Sequence, residues 1–384
     1  APENVAWLLN IRGYDSPHSP IPNCRLIIDK RGNLFFICEK AKSIKITKQK
    51  KINRSQLIEP NNFKKLINKL NMRYFIIDKK TCSYFHETII RSKFKVLNKE
   101  DPCYYLKSIK NLTEIDYMTK AHINDGLALT KFLYWLKIEN KKKITEIDAQ
   151  KKLEKFRKLN NDYLFPSFNT IAGTASNGAI VHYRATKKTN RLIKKNDIFL
   201  CDSGGQYKYG TTDVTRTICF KKPKNRIKNI FTKVLKGHIA VVLTNLQKQN
   251  TGNKIDIRAR KFLKEDGLDY AHGTGHGVGF FLNVHEGPQA ISKYNKIKFK
   301  KGMIISNEPG YYKKNSFGIR IENLIYVKKI KKSLVFENLT LVPIEKDLIN
   351  FKLLTKNEKD YLFKYHLKIY SKYSKFLNLK QRKW

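Results

Sequence analysis

No stretch of this chain approaches the ~18 consecutive apolar residues that a membrane-spanning helix needs, so a transmembrane reading is excluded. The six cysteines (Cys24, Cys38, Cys82, Cys103, Cys201, Cys219) form no C-x-x-C pair. That spacing speaks against a zinc knuckle and a disulfide framework, and for free thiols in a reducing cytoplasm. The opening residues, Ala1-Pro2-Glu3-Asn4, lack both the basic and the apolar region of a signal peptide. They also lack an initiator Met and lead at once into Val5–Leu9, an apolar stretch that reads as a strand, so the natural protein is expected to begin further upstream. Internal repeats and low-complexity linkers are missing as well. No G-x-S-x-G elbow supports a serine nucleophile. His285-Glu286 is no H-E-x-x-H, because Gln289 stands where the second His belongs.

What is present points to a folded, basic protein. At 384 residues the chain suits two domains, and 41% hydrophobic with 12% aromatic residues is enough to build buried cores. Acids are few: 32 Asp and Glu against 78 Lys and Arg, a formal charge of +46. A charge of that size suggests a nucleic-acid or anionic-membrane partner. The lysines, however, run through the whole chain, at Lys48–Lys51, Lys141–Lys143, Lys293–Lys301 and Lys328–Lys332, and no nucleic-acid module or aromatic ladder accompanies them. They read as the surface of a protein from a lysine-rich proteome. No specific nucleic acid and no membrane is expected as partner, only nonspecific polyanion binding at low salt.

Residues 1–103 read as a small α/β domain. Arg25–Ile28 and Leu34–Ile37 form a hairpin around Lys30-Arg31-Gly32. A helix over Asn62–Leu70, a strand over Tyr74–Ile77, a helix over Cys82–Ile90 and a strand over Phe94–Leu97 follow. His18 and His86 are lone histidines with surface or packing roles. Asp101-Pro102 marks the boundary, since the residue before proline resists helix. Residues 104–384 then form the second domain. A long helix starts near Thr113, and its helical-period face carries His122, which reads as a core histidine rather than a ligand. Further helices are expected over Thr145–Lys158, Asn225–Gln249 and Ile255–Glu265, with β-rich segments between them that suggest an antiparallel sheet flanked by helices. The tail, Thr355–Trp384, reads as a basic amphipathic helix packed against the body.

Four segments carry chemistry because polar residues interrupt apolar, strand-like runs. They are Ile198–Gly205 with Asp202, Gly210–Thr217 with Asp213, Ala271–Gly279 continuing to Asn283–Pro288 with His272, His276 and His285, and Ile304–Tyr311 followed by Gly318–Asn323 with Glu308, Arg320 and Glu322. A carboxylate at the end of a buried strand is costly unless it is paired or bound to a cation. Asp202 and Asp213 lie eleven positions apart (213 − 202), a span that a hairpin can fold so that both acids meet. Singly, each acid reads equally well as a cap or an ion-pair partner. The glycines of Gly273–Gly279 mimic G-x-G-x-x-G, but no acidic partner or strand-turn-helix context supports a dinucleotide. Together, four acids and one histidine make an oxygen-rich set able to hold two divalent ions. Such a set suits Mn²⁺ and tolerates Co²⁺ or Zn²⁺.

These segments, together with Trp7–Gly13, Asp101–Trp135, Phe165–Ala185 and Leu353–His366, resemble the pita-bread metallopeptidase family, specifically its three-domain Xaa-Pro aminopeptidases (the aminopeptidase P branch). The resemblance covers nearly the entire chain. It implies a fold of class α/β (α+β), with a small creatinase-N-terminal-like α/β domain before a pita-bread catalytic domain. The family's first N-terminal domain, which contributes to oligomerisation and to closing the substrate pocket, is absent from this sequence. A homodimer is expected of the full-length form. By resemblance, Asp202, Asp213, His276, Glu308 and Glu322 match the metal ligands, with Asp213 and Glu322 bridging. His182, His272 and His285 match substrate-side histidines, and Arg320 an arginine beside Glu322. The implied reaction is hydrolysis of the N-terminal Xaa-Pro bond by a hydroxide shared between the two ions, with Glu308 moving a proton and His285 and His272 donating to the carbonyl. Prolidase, which cleaves Xaa-Pro dipeptides with the same ligands, is the nearest alternative. A non-catalytic pita-bread module that binds nucleic acid or histones is a remote one, since such modules lose ligands that are all present here.

Overall fold

The computed structural model describes residues 1–49, 51–139 and 143–384. Of the basic runs, Lys50, Lys141 and Lys142 lie outside the described residues. The chain divides into two compact units, Ala1–Lys107 and Ser108–Trp384.

In the first unit Arg25–Ile28 pairs antiparallel with Leu34–Ile37, and Gly32 takes the positive φ (83°) that this tight turn requires. Leu57–Ile58 joins the hairpin in parallel. A second, parallel pair joins Tyr74–Ile77 to Lys95–Asn98. Helices Phe63–Lys69 and Tyr84–Arg91 bury Phe63, Leu66, Ile67 and Ile90 against Ile37, Ile77 and Phe94. Val5–Leu9 is no strand. Pro2–Leu8 is a helix, with Pro2 in its first turn beside Glu3, and it buries Asn4, Val5 and Ala6. A five-residue apolar run carries too little period to separate strand from helix, and the proline at the helix start decides it. The helix Lys40–Lys48 has no apolar face to betray it; its one buried residue is Ser43.

The second unit opens with the long helix Leu112–Tyr134, which starts on a capping box between Asn111 and Glu114. His122 is buried on it, its Nδ1–H donating to the Met118 carbonyl at 2.7 Å. Glu146–Arg157 begins on a second box, Thr145 with Asp148. Ile198–Ser203 lies between Ile171–Thr174 and Val214–Cys219, antiparallel to both. All twelve residues of Ile198–Ser203 and Val214–Cys219 are buried, including Asp202, Ser203 and the consecutive polar run Thr215-Arg216-Thr217. A five-stranded antiparallel sheet runs Glu286–Ile291, Gly275–Gly277, Ile304–Asn307, Asn323–Ile330, Ser333–Asn338. Helices Asn225–Val242 and Gly252–Lys264 pack together and supply Ile230, Phe231, Val234, Leu235 and Leu263 to the main core.

Two helix ends differ from expectation. The helix from Asn225 stops at Val242 rather than Gln249, because the Asn245 side chain accepts from Gln247 N–H and turns the chain instead. The tail is interrupted: Lys356–Tyr373 is helical, and Asn378 then caps a separate helix, Leu379–Lys383. Its inward residues Leu362, Tyr365, Ile369 and Tyr373 are buried in the core.

Candidate metal centre

The Asp202 hairpin builds one wall of the site. Thr215 pairs with Asp202 and Val214 with Ser203, so Asp213 enters the site just before its strand begins. The turn is possible because Gly204 lies against the Thr212 carbonyl, where any Cβ would collide. A second wall comes from Gly275–Gly277, which carries His276 between the Ala290 and Ile305 neighbours. Glu308 follows Ile304–Asn307 and Glu322 precedes Asn323–Ile330. The antiparallel register Asn307↔Asn323 therefore brings both glutamates to one end of the sheet.

The side chains converge. Asp202, Asp213 and Glu322 offer one oxygen each within 4.8 Å of one another, and so do the ligand atoms of His276, Glu308 and Glu322. Asp213, His276 and His285 form a third such group. Glu322, Asp213 and His276 each belong to two of these groups, so the groups overlap. His276 Nδ1–H donates to the Gly277 carbonyl at 2.9 Å, leaving Nε2 as a lone pair 3.5 Å from Asp213 and 3.4 Å from Glu308. Thr215 Oγ1 donates to Glu322 at 2.7 Å and Ser306 Oγ to Glu308 at 2.8 Å, fixing both carboxylates.

The electrostatics call for cations. Asp213 and Glu322 are 4% and 1% exposed, and burial first, then the neighbouring carboxylates, pushes both pKa values well up. Glu308 is raised too, burial outweighing the help of His276 and Arg320. Asp202 Oδ1 and Asp213 Oδ1 are buried without a hydrogen-bond partner. A buried carboxylate oxygen facing other carboxylates is stable only with positive charge against it. The donor set, oxygen-rich with one imidazole, fits a pair of divalent ions.

A cavity of ≈ 440 Å³ opens over these acids, lined also by His182, His272, His285, Phe168, Val181 and Val284. The cavity thus gathers every residue singled out in the sequence. Two details differ from expectation. Arg320 pairs not with Glu322 but with Asp202, at 2.6 Å, and reaches Glu322 only through Thr215 Oγ1, to which its Nε donates at 3.1 Å. His285 stands beside His276, ring centroids 4.1 Å apart, so it lies against a ligand as well as facing the cavity. Sequence reasoning missed Tyr312, whose hydroxyl lies 2.6 Å from Arg320 and 2.8 Å from His272 Nε2 and so links the two. A tyrosine one residue past the Glu308–Tyr311 segment carries no signal of its own. His272 is held down to about 4 by burial and then by Arg320, which leaves its ring neutral. Arg216 was also missed. It is 1% exposed and pairs with no carboxylate, yet it donates to the carbonyls of Thr215, Glu322, Val342 and Pro343, to Asn323 and to Tyr365.

Comparisons with known proteins agree with this geometry. Residues 116–329 match the model of metallopeptidase family M24, residues 1–114 the creatinase/prolidase N-terminal domain, and residues 332–384 the C-terminal region of peptidase M24. A probable Xaa-Pro aminopeptidase P of Phaeosphaeria nodorum is 37% identical over 97% of this chain and 61% of its own length. One from Laccaria bicolor is 38% identical over 98% and 61%. The chain thus spans about three-fifths of the length of these curated relatives. The crystal structure of the X-prolyl aminopeptidase of Caenorhabditis elegans, described as a cytosolic enzyme with a di-nuclear active site, superimposes with a TM-score of 0.88 and 31% identity. That match covers 100% of this chain and 66% of the nematode one. The fold is the pita-bread fold behind a creatinase N-terminal domain, the expected α/β class. Matched across its length by family models, and with four carboxylates and one imidazole converging on one cavity, the chain belongs to metallopeptidase family M24.

Proposed function

We propose that this protein is a dinuclear-metal aminopeptidase that hydrolyses the peptide bond between a free N-terminal residue and a following proline. The observation that carries the reading is the overlap of ligand groups, in which Asp202, Asp213 and Glu322 form one set and His276, Glu308 and Glu322 another. Those five residues would hold two divalent ions, with Mn²⁺ the best match to the oxygen-rich donors. Bound there, such ions would supply Lewis acidity to activate water and positive charge to anchor a free amino group. Glu308, held by Ser306, is placed to take a proton from the attacking water and pass it to the departing proline nitrogen. His285 and His182, facing the cavity, donate to the carbonyl of the first residue as negative charge develops on it. Arg320 and Tyr312 orient Asp202 and His272. Phe168, Val181 and Val284 provide apolar wall suited to a proline ring. The similarity to a cytosolic X-prolyl aminopeptidase and the six free cysteines support a cytoplasmic setting, and a homodimer is the proposed assembly of the longer form.

Prolidase is the second reading, favoured by the likeness to the Pyrococcus furiosus prolidase at 26% identity and a TM-score of 0.71. One assay separates the two. After chelator treatment and Mn²⁺ addition, Arg-Pro-Pro should lose only its first residue while an Xaa-Pro dipeptide is cleaved poorly. The reverse preference would establish prolidase. Inactivity of the folded, metal-loaded chain on both would overturn the enzyme reading of this chain.

A further inference from the structure

We propose that the lysine-rich surface formed by segments 247–254, 293–303 and 327–333 is a docking surface for the sugar-phosphate backbone of single-stranded RNA. The chain's charge is not spread evenly. Three segments, 247–254, 293–303 and 327–333, contain eleven lysines and no Asp or Glu, although they are far apart in sequence. Tertiary structure brings them side by side. Asn253 N–H donates to the Asn295 carbonyl at 2.8 Å and Phe299 N–H to the Asn250 carbonyl at 3.3 Å. Gly302 N–H donates to the Val327 carbonyl at 2.9 Å, and the Gln247 amide to the Lys332 carbonyl at 3.4 Å. All eleven lysines (Lys248, Lys254, Lys293, Lys296, Lys298, Lys300, Lys301, Lys328, Lys329, Lys331, Lys332) are exposed. Glu337, 3.7 Å from Lys328, also serves Lys368, so little negative charge offsets the face.

Lys300, Lys301 and Lys328–Lys332 lie at the sheet end opposite the carboxylates, whereas Lys293 and Tyr294 follow Ile291, which pairs with Gly275 on the carboxylate side. Lys300 and Lys301 precede Ile304–Asn307, and Glu308 follows it. Glu322 precedes Asn323–Ile330, and Lys328–Lys332 close it. An eight-residue strand spans roughly 26 Å at ~3.3 Å per residue, and none of the eleven lysines lines the cavity. So dense a set of like charges favours a ligand with regularly spaced anions, whose binding releases counterions. Tyr294 selects among polyanions. Its ring is 81% exposed, with Lys293 Nζ 5.3 Å from its centroid, which offers a base a stacking platform beside a phosphate contact. A membrane surface would call for an apolar stripe to bury, and the three segments expose one large aliphatic side chain, Ile330.

The test uses a fluorescent U20 oligonucleotide and anisotropy with the intact 384-residue chain across a KCl series. Combined Lys329→Glu, Lys331→Glu and Lys332→Glu should weaken binding at least tenfold and reduce the salt slope by about 2, near 0.7 for each lost phosphate contact. The same number of reversals at Lys64, Lys65 and Lys69, exposed lysines of the first unit, should change it less than twofold. Tyr294→Ala should cost about tenfold on U20 and nothing on inorganic polyphosphate. Equal losses from the two lysine triples would overturn the patch in favour of bulk charge. Equal effects of Tyr294→Ala on both probes would overturn RNA in favour of a bare polyanion. Retention on phosphatidylserine vesicles at a salt concentration where U20 is released would place the surface on membranes instead. Peptide hydrolysis by the lysine triples reports separately on the catalytic cavity.

Discussion

The two ends of the strand pair Ile304–Asn307 and Asn323–Ile330 carry opposite chemistry in one sheet. At one end Glu308 and Glu322 meet Asp202 and Asp213, with Asp213 and Glu322 nearly sealed from water. At the other, lysines crowd an open surface. Like charges are tolerated at both ends, for different reasons. Water and salt screen the lysines, so their repulsion costs little and their number is free to drift upward. The acids have lost that screening, and burial raises the pKa values of Asp213 and Glu322. Their mutual repulsion is relieved by protonation or by bound cations.

Breaking the acid end should have the largest effect. Glu322→Ala removes the ligand shared by both groups. It should lower kcat/KM on an Xaa-Pro-Pro peptide by more than the ~100-fold that loss of an outer partner costs. It should also reduce bound Mn²⁺ measured by elemental analysis. A variant that keeps both ions would contradict the bridging assignment. Next is Arg216, which ties the Glu322 carbonyl to the Val214–Cys219 strand and to the tail through Tyr365. Arg216→Met leaves several buried carbonyls unpaired and should destabilise the fold by about 3 kcal/mol or more in urea unfolding.

A third prediction concerns metal linkage. In chelator-treated protein, Asp213→Asn should raise stability by about 1–2 kcal/mol, because it relieves repulsion among buried acids. With Mn²⁺ at about 100 times its Kd the wild type should gain roughly 2.7 kcal/mol and the variant little. The pH profile is the fourth. Burial lowers His122 to about 4 and His238 to about 3, the latter donating from Nδ1 to the Asn307 carbonyl just before Glu308. Their unfolded pKa is about 6.5, so their contribution is complete above pH 6.5 and is lost as pH falls toward 4. His122→Gln should flatten that loss by about 3 kcal/mol over the window. The smallest effect belongs to the other end: the lysine reversals at 329, 331 and 332 should change stability by no more than about 0.5 kcal/mol each.

Legibility followed the same division between local and non-local causes. The long helix Leu112–Tyr134 was readable to within a residue of its start because the residues that begin a helix are neighbours in sequence. The acids and histidines were readable because polar residues inside apolar strands need a chemical reason to be there. Tyr312, Arg216 and the Arg320–Asp202 pair were not, since each acts through a partner brought near by the fold. Pro2–Leu8 was misread because five apolar residues carry no usable period.

By itself, then, the sequence determined the class of protein, the residues able to hold metal and the spacing that lets Asp202 and Asp213 share a hairpin. Tertiary structure decided which carboxylate Arg320 serves and which ligands fall into two groups, because those depend on strand register. It also turned lysines scattered through 247–254, 293–303 and 327–333 into one face, since main-chain hydrogen bonds between segments, not composition, set where charge accumulates.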